Sequence, residues 1–147
     1  MLTAKDRSLG LDIARALLVG RAVSGYRFVT DPVVIFDELP PASGSSVYLH
    51  IESGCQVLQR KDESISELGR GRRAFEDLWP ELVSLARSQV SNVRMAELGA
   101  DLLIDFANGR ALWVSGVDAE YESWTLGREG GSELIVALAG GGIAIWT

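Results

Sequence analysis

Three carboxylates at alternating positions, Asp118, Glu120 and Glu122, stand beside the rings of Tyr121 and Trp124. Two chemistries suit that composition. Paired carboxylates can serve as acid and base or nucleophile, as in glycoside hydrolysis. Acids interleaved with aromatic rings also make a protein interface, because the rings supply contact area and the acids supply orientation. Acids on a single strand are weak material for the first chemistry, and the chain is small for such an enzyme. The expectation is therefore a partner-binding constellation of Asp118, Glu120, Tyr121, Glu122 and Trp124, with Glu120, Glu122 and Trp124 on one strand face and Tyr121 and Ser123 on the other. The competing reading puts Trp124 in the core and leaves the acids solvated.

Other candidates carry less. His50 is the only histidine, and no second His or Cys lies at ligand spacing, so a structural role is expected of it. Cys55, the single cysteine, sits in a strand pattern with no neighbouring base and reads as a small buried hydrophobe. Gly140-Gly141-Gly142 leads into a strand instead of a helix N-terminus, and no Lys-Ser/Thr follows, so it predicts a tight turn and not a phosphate cradle. Arg70, Arg72 and Arg73 are surrounded by Glu67, Glu76 and Asp77 and read as a solvated connector. No catalytic residue, metal ion or cofactor is expected.

A mostly β framework must position these residues. Asp101 to Trp146 reads as five short strands forming a sheet around which the rest is organised; several are apolar on both faces, so something must cover the second face. Leu102, Ile104 and Phe106 alternate with Leu103 and Asp105, Asn108-Gly109 predicts a type I′ hairpin turn, and Ala111 to Val114 returns. Tyr121 to Leu126, Glu133 to Leu138 and Ile143 to Trp146 complete the set. Upstream, Leu9 to Val19 has helical spacing with Gly20 as its C-cap. Val23 to Thr30 and Val33 to Phe36 flank an Asp31-Pro32 turn. Val47, Leu49 and Ile51 alternate with Tyr48, His50 and Glu52, and Cys55 to Leu58 is expected to pair back across Ser53-Gly54. After a polar connector, Arg60 to Arg73, apolar residues Phe75, Leu78, Leu82 and Leu85 predict a second helix beginning close to Pro80.

An internal echo runs through this layout. Leu18 to Phe28 aligns with Leu85 to Met95, 67 residues later, repeating Leu, Val-Ser and Arg after a helix and before a hairpin. Both hairpin regions end in Ser-Gly, at Ser53-Gly54 and Ser115-Gly116. The expected fold is a single α+β domain, a twisted antiparallel sheet or partly open barrel with about two helices. It would comprise two related helix-plus-hairpin units, near residues 9–60 and 74–116, with additional C-terminal strands over 120–147.

Composition bounds the function. The 147 residues are 47% hydrophobic and 23% charged, ordinary for a globular chain. No apolar run reaches the ~18 residues of a membrane-spanning helix, and Ala16 to Val19 is too short for a signal-peptide core, so no membrane association and a cytoplasmic location are expected. The lone cysteine agrees with that. The net charge of −6 is uneven: residues 89–147 hold three basic and eight acidic side chains. Such a balance argues against nucleic-acid binding and suits the steering of a basic protein partner.

The tail Tyr121-Glu122-Ser123-Trp124, then Leu126 and Gly127, then Gly141-Gly142-Ile143-Ala144-Ile145-Trp146, resembles a family signature. It is that of short, mostly uncharacterised bacterial proteins similar to immunity proteins of polymorphic toxin systems. Val90, Leu102, Ile104, Phe106, Gly109 and Leu112 match the family's upstream pattern, and the likeness is best over Leu82 to Trp146. Ala139 departs from it, since relatives often place Pro ahead of the glycines. The family pattern holds no established catalytic residue, so the resemblance implies an interaction protein: an antitoxin-like inhibitor that occludes a cognate toxin, with a basic nuclease suiting the acidic third. The alternative is a small-molecule-binding or regulatory module without catalysis. The tryptophan-rich strands could equally feed a homodimer interface.

Overall fold

The computed structural model describes residues 4–28, 30–38, 45–65, 73–96, 99–116, 122–131, 133–138 and 142–146. In chain order the elements are α1 (Ala4–Leu18), β1 (Ala22–Phe28), β2 (Pro32–Asp37), β3 (Val47–Ile51), β4 (Cys55–Leu58), α2 (Phe75–Val83), β5 (Val90–Met95), β6 (Leu102–Phe106), β7 (Ala111–Val114), β8 (Trp124–Arg128), β9 (Leu134–Ala137) and β10 (Ile143–Trp146). The strands form two antiparallel sheets, a six-stranded β1-β2-β3-β8-β9-β10 and a four-stranded β4-β7-β6-β5. Among the described residues neither sheet closes into a barrel, and the class is α+β.

Two expectations about pairing change. The stretch from Asp101 to Trp146 is not one sheet, because β6 and β7 belong to the smaller sheet and β8 to β10 to the larger. Nor does β4 fold back on β3. It pairs with β7, Cys55 opposite Val114 and Leu58 opposite Ala111, while β3 pairs with β8, Ile51 opposite Trp124. Each of these short strands has an apolar face that any neighbour can cover, so alternation alone does not say which edge each will join.

The positions aligned by the sequence echo occupy equivalent places. Each first hairpin carries a bulge at the echoed serine: Val23 pairs with Phe36 and Gly25 with Ile35, as Val90 pairs with Phe106 and Asn92 with Asp105. The serine hydroxyls act alike, Ser24 Oγ donating to the Ile35 carbonyl and Ser91 Oγ to the Asp105 carbonyl. Both segments reach their first hairpin strand after a helix through a left-handed residue, Gly20 at φ 91° and Arg87 at φ 68°. The two segments then bond each other reciprocally: Gly20 N–H to Val90 O and Arg87 N–H to Val23 O, with Val90 N–H to Arg21 O and Val23 N–H to Ser88 O. This is a local two-fold arrangement, and it extends to the crossovers. Glu52 N–H donates to Ser123 O beside β8, and Ser115 N–H donates to Gly54 O beside β4. The first half thus gives β1, β2 and β3 to the larger sheet and β4 to the smaller, the second gives β5, β6 and β7 to the smaller and β8 to the larger, and β9 and β10 extend the larger sheet.

The core lies between the sheets and under α1. Leu17, Leu18, Leu49, Leu102, Ile104, Leu112 and Trp124 are all fully buried there. Helix α1 packs along β5, and Arg15 Nε donates to the Val93 carbonyl at 3.0 Å. Helix α2 starts at Phe75, five residues ahead of Pro80 and not close to it. Proline in a helix interior leaves the fourth preceding carbonyl without its N–H donor. Here that carbonyl belongs to Glu76, and both Glu76 and Pro80 are exposed, which lets water serve. The far side of α2 brings Trp79 edge-on to Tyr26 and Phe28, at centroid distances of 5.5 and 4.3 Å.

Cys55 is buried at the start of β4, its carbonyl accepting from Arg73 Nη2 at 3.0 Å while Arg73 also pairs with Glu81. Burial pushes its thiol up to about 12. The thiolate is the reactive form, so the native protein should be inert to a disulfide reagent at pH 8 and should react fully, once per chain, in denaturant. A fast native reaction would contradict this burial. Because the folded thiol holds its proton where the unfolded one releases it, stability should fall as pH rises from about 9 towards 12.

Candidate functional site

The residues singled out for partner binding separate. Asp118, Glu120 and Tyr121 lie outside the described residues, and Glu122 is exposed. Trp124 does not join them. Its side chain is fully buried and its indole N–H donates to the Ala100 carbonyl at 2.8 Å, so it cannot offer its ring to a partner. The strand also starts at Trp124, which leaves Glu122 ahead of it and removes the expected shared face. An alternating pattern looked the same whether its aromatic pointed out or in; the apolar inner face of the larger sheet decides for the core.

Four of the eight acids that make the C-terminal third acidic are held internally. Asp105 takes a two-pronged contact from Arg94, Nε to Oδ2 at 2.8 Å and Nη2 to Oδ1 at 2.7 Å, which raises the Arg94 pKa chiefly through that hydrogen bond. Asp101 accepts the Gly116 N–H at 2.8 Å and the Trp113 indole N–H at 3.3 Å. Glu129 pairs with Arg27 from β1, and Glu133 lies 3.4 Å from Arg128. Glu122, in contrast, is exposed at the point where the chain enters β8.

Beside that point the larger sheet gathers groups that are far apart in sequence. Tyr48, His50 and Glu52 alternate with the buried Val47, Leu49 and Ile51, so they occupy the outer face. Val33 pairs with His50, and continuing that register two residues sets Asp31 opposite Glu52. Both ring nitrogens of His50 face a carboxylate, Nε2 being 3.7 Å from Asp31 Oδ2 and Nδ1 3.5 Å from Glu52 Oε1. Across the next strand Ser123 sits level with Glu52 and is fully buried, its hydroxyl without a hydrogen-bond partner. The alternation of His50 and Glu52 was visible in the sequence, whereas Asp31, nineteen residues upstream of His50, could be placed only by the register.

Chemically, this end of the sheet offers negative charge to a cationic group. The neighbouring row has Tyr48 over Gly127, where an added Cβ would meet the phenol oxygen at 2.9 Å. No curated protein and no solved structure matches the chain. The model of one family, described as DUF6188, a family of unknown function, matches residues 15–147, and the chain belongs to that family.

Proposed function

We propose that this is an immunity-type protein that binds and occludes a cognate bacterial toxin without catalysing a reaction. The observation that carries the reading is the division among the acids of the C-terminal third. Asp101, Asp105, Glu129 and Glu133 serve internal contacts, whereas Glu122 is exposed where the chain enters β8, next in sequence to Ser123, whose carbonyl accepts the Glu52 N–H. Exposed acids at the rim of an interface steer a basic partner and govern how fast it associates, more than how tightly it is held. With Trp124 in the core, the contact is carried by polar residues of the 118–122 segment.

The test begins with tag-based capture from the organism that encodes the chain, at low and then moderate salt. One stoichiometric basic partner encoded beside this protein supports the reading, and recovery of the protein alone at both salts counts against it. With the partner in hand, the combined reversal Asp118→Lys, Glu120→Lys and Glu122→Lys should slow association at low salt by about 10-fold or more and flatten its salt dependence. An unchanged association rate would remove the acidic segment from the interface.

A further inference from the structure

The geometry points to Asp31, His50 and Glu52 as a site for a divalent transition-metal ion of the zinc class, completed by solvent. One donor atom from each of the three lies within 4.8 Å of the other two. One imidazole nitrogen with two carboxylate oxygens suits first-row divalent ions such as Zn²⁺ and Co²⁺. The 3.5 and 3.7 Å contacts run from different ring nitrogens, so one ion would bind through a single nitrogen and draw separations of up to 4.8 Å in towards the tetrahedral edge of about 3.4 Å expected for ligands about 2.1 Å from it.

Two further features favour a bound cation. Like charges that face one another across adjoining chain segments are unfavourable, and the carboxylates of Asp31 and Glu52 flank one imidazole just beyond the β2–β3 pairing. A divalent ion between them converts that repulsion into attraction. The buried, unpartnered Ser123 hydroxyl lies in the same cross-strand row, on the face that Glu52 occupies. A metal-bound water would give it a hydrogen-bond partner. With side-chain exposures of 21–34%, the three residues leave room for solvent ligands. The inference does not depend on a toxin partner.

The experiment uses tag-free, chelator-stripped protein titrated with ZnCl₂ and CoCl₂ by calorimetry and visible absorption at pH 7.5. The expected result is one saturable equivalent, a visible Co²⁺ band that Zn²⁺ abolishes, and a rise in melting temperature with added Zn²⁺. His50→Ala, Asp31→Asn and Glu52→Gln should each weaken binding by at least about 10-fold, while Asp62→Asn, an exposed acid elsewhere, leaves it unchanged. The wild-type titration alone decides if a variant fails to fold. Absence of a saturable equivalent overturns the site, as does an affinity that His50→Ala leaves intact.

Discussion

Gly116→Ala should abolish folding or reduce stability by more than about 4 kcal/mol, beyond the range of ordinary substitutions. A Cβ at this position would stand 2.0 Å from the Ala100 carbonyl carbon, 2.1 Å from its oxygen and 2.6 Å from the Asp101 nitrogen. All three are backbone atoms, and none is free to retreat. Ala100 is fully buried and its carbonyl accepts the Trp124 indole N–H, while the Asp101 carboxylate accepts the N–H of Gly116 itself. Relief of the clash therefore breaks a buried hydrogen bond or parts the chain where it leaves the smaller sheet. Total stabilities of such domains are about 5–15 kcal/mol, so the variant should melt far below wild type or accumulate as insoluble protein. Gly25→Ala is the control. Nothing lies within 4 Å of its Cβ and its backbone is not left-handed, so alanine there should change stability by less than about 1 kcal/mol. Urea denaturation followed by far-UV circular dichroism measures both, and a Gly116→Ala protein as stable as wild type would contradict the close approach.

The second large effect is expected at Trp124. Truncating a fully buried tryptophan to alanine costs about 3–5 kcal/mol through lost burial and the cavity that remains. The Ala100 carbonyl also loses its donor at 2.8 Å, which adds about 1–3 kcal/mol if that acceptor stays dry. Trp124→Phe keeps most of the ring and loses the donor, so its smaller loss isolates the hydrogen bond. Since Gly116 and Trp124 both act on Ala100, the double variant should fall short of the sum of the singles. The measurement is the shift in urea midpoint at constant slope. A near-neutral Trp124→Ala would mean that the side chain is not in the core and would reopen its place in the interface.

Local structure was legible wherever one residue type met one backbone requirement. Residues 102–106, 111–114, 47–51 and 55–58 are strands where alternation or apolar runs placed them, and Gly20 ends α1 in the left-handed conformation that favours glycine. Asn108-Gly109 does turn a hairpin, but through a three-residue loop. Gly109 N–H bonds to the Phe106 carbonyl and Phe106 N–H to the Arg110 carbonyl, with Gly109 left-handed at φ 88°. What the sequence hid was partnership over distance. The crossings at Ser53-Gly54 and Ser115-Gly116 look like hairpin turns because a hairpin and a change of sheet both need a small residue between two short strands. The Asp31, His50 and Glu52 cluster was hidden for the same reason, since its spacing exists only across paired strands. Tryptophan was the opposite difficulty: its size suits a core and an interface equally, and only the packed structure separates them.

The exchange of fourth strands sets the order in which the chain can be finished. The first half, on its own, yields β1, β2 and β3 as a three-stranded sheet with the β3 edge, Val47 to Ile51, unpaired until β8 arrives more than seventy residues later. On a ribosome that edge stays open for nearly half the length of the chain, and pairings of such long range are the slow steps of folding. Open strand edges are also templates for association with other chains. Removal of residues 124–146 would accordingly take away the middle and one flank of the larger sheet, not a tail. Deletion mapping would then report as lost any site on the larger sheet once a cut falls before β8, because β1, β2 and β3 are left without the strands that complete that sheet.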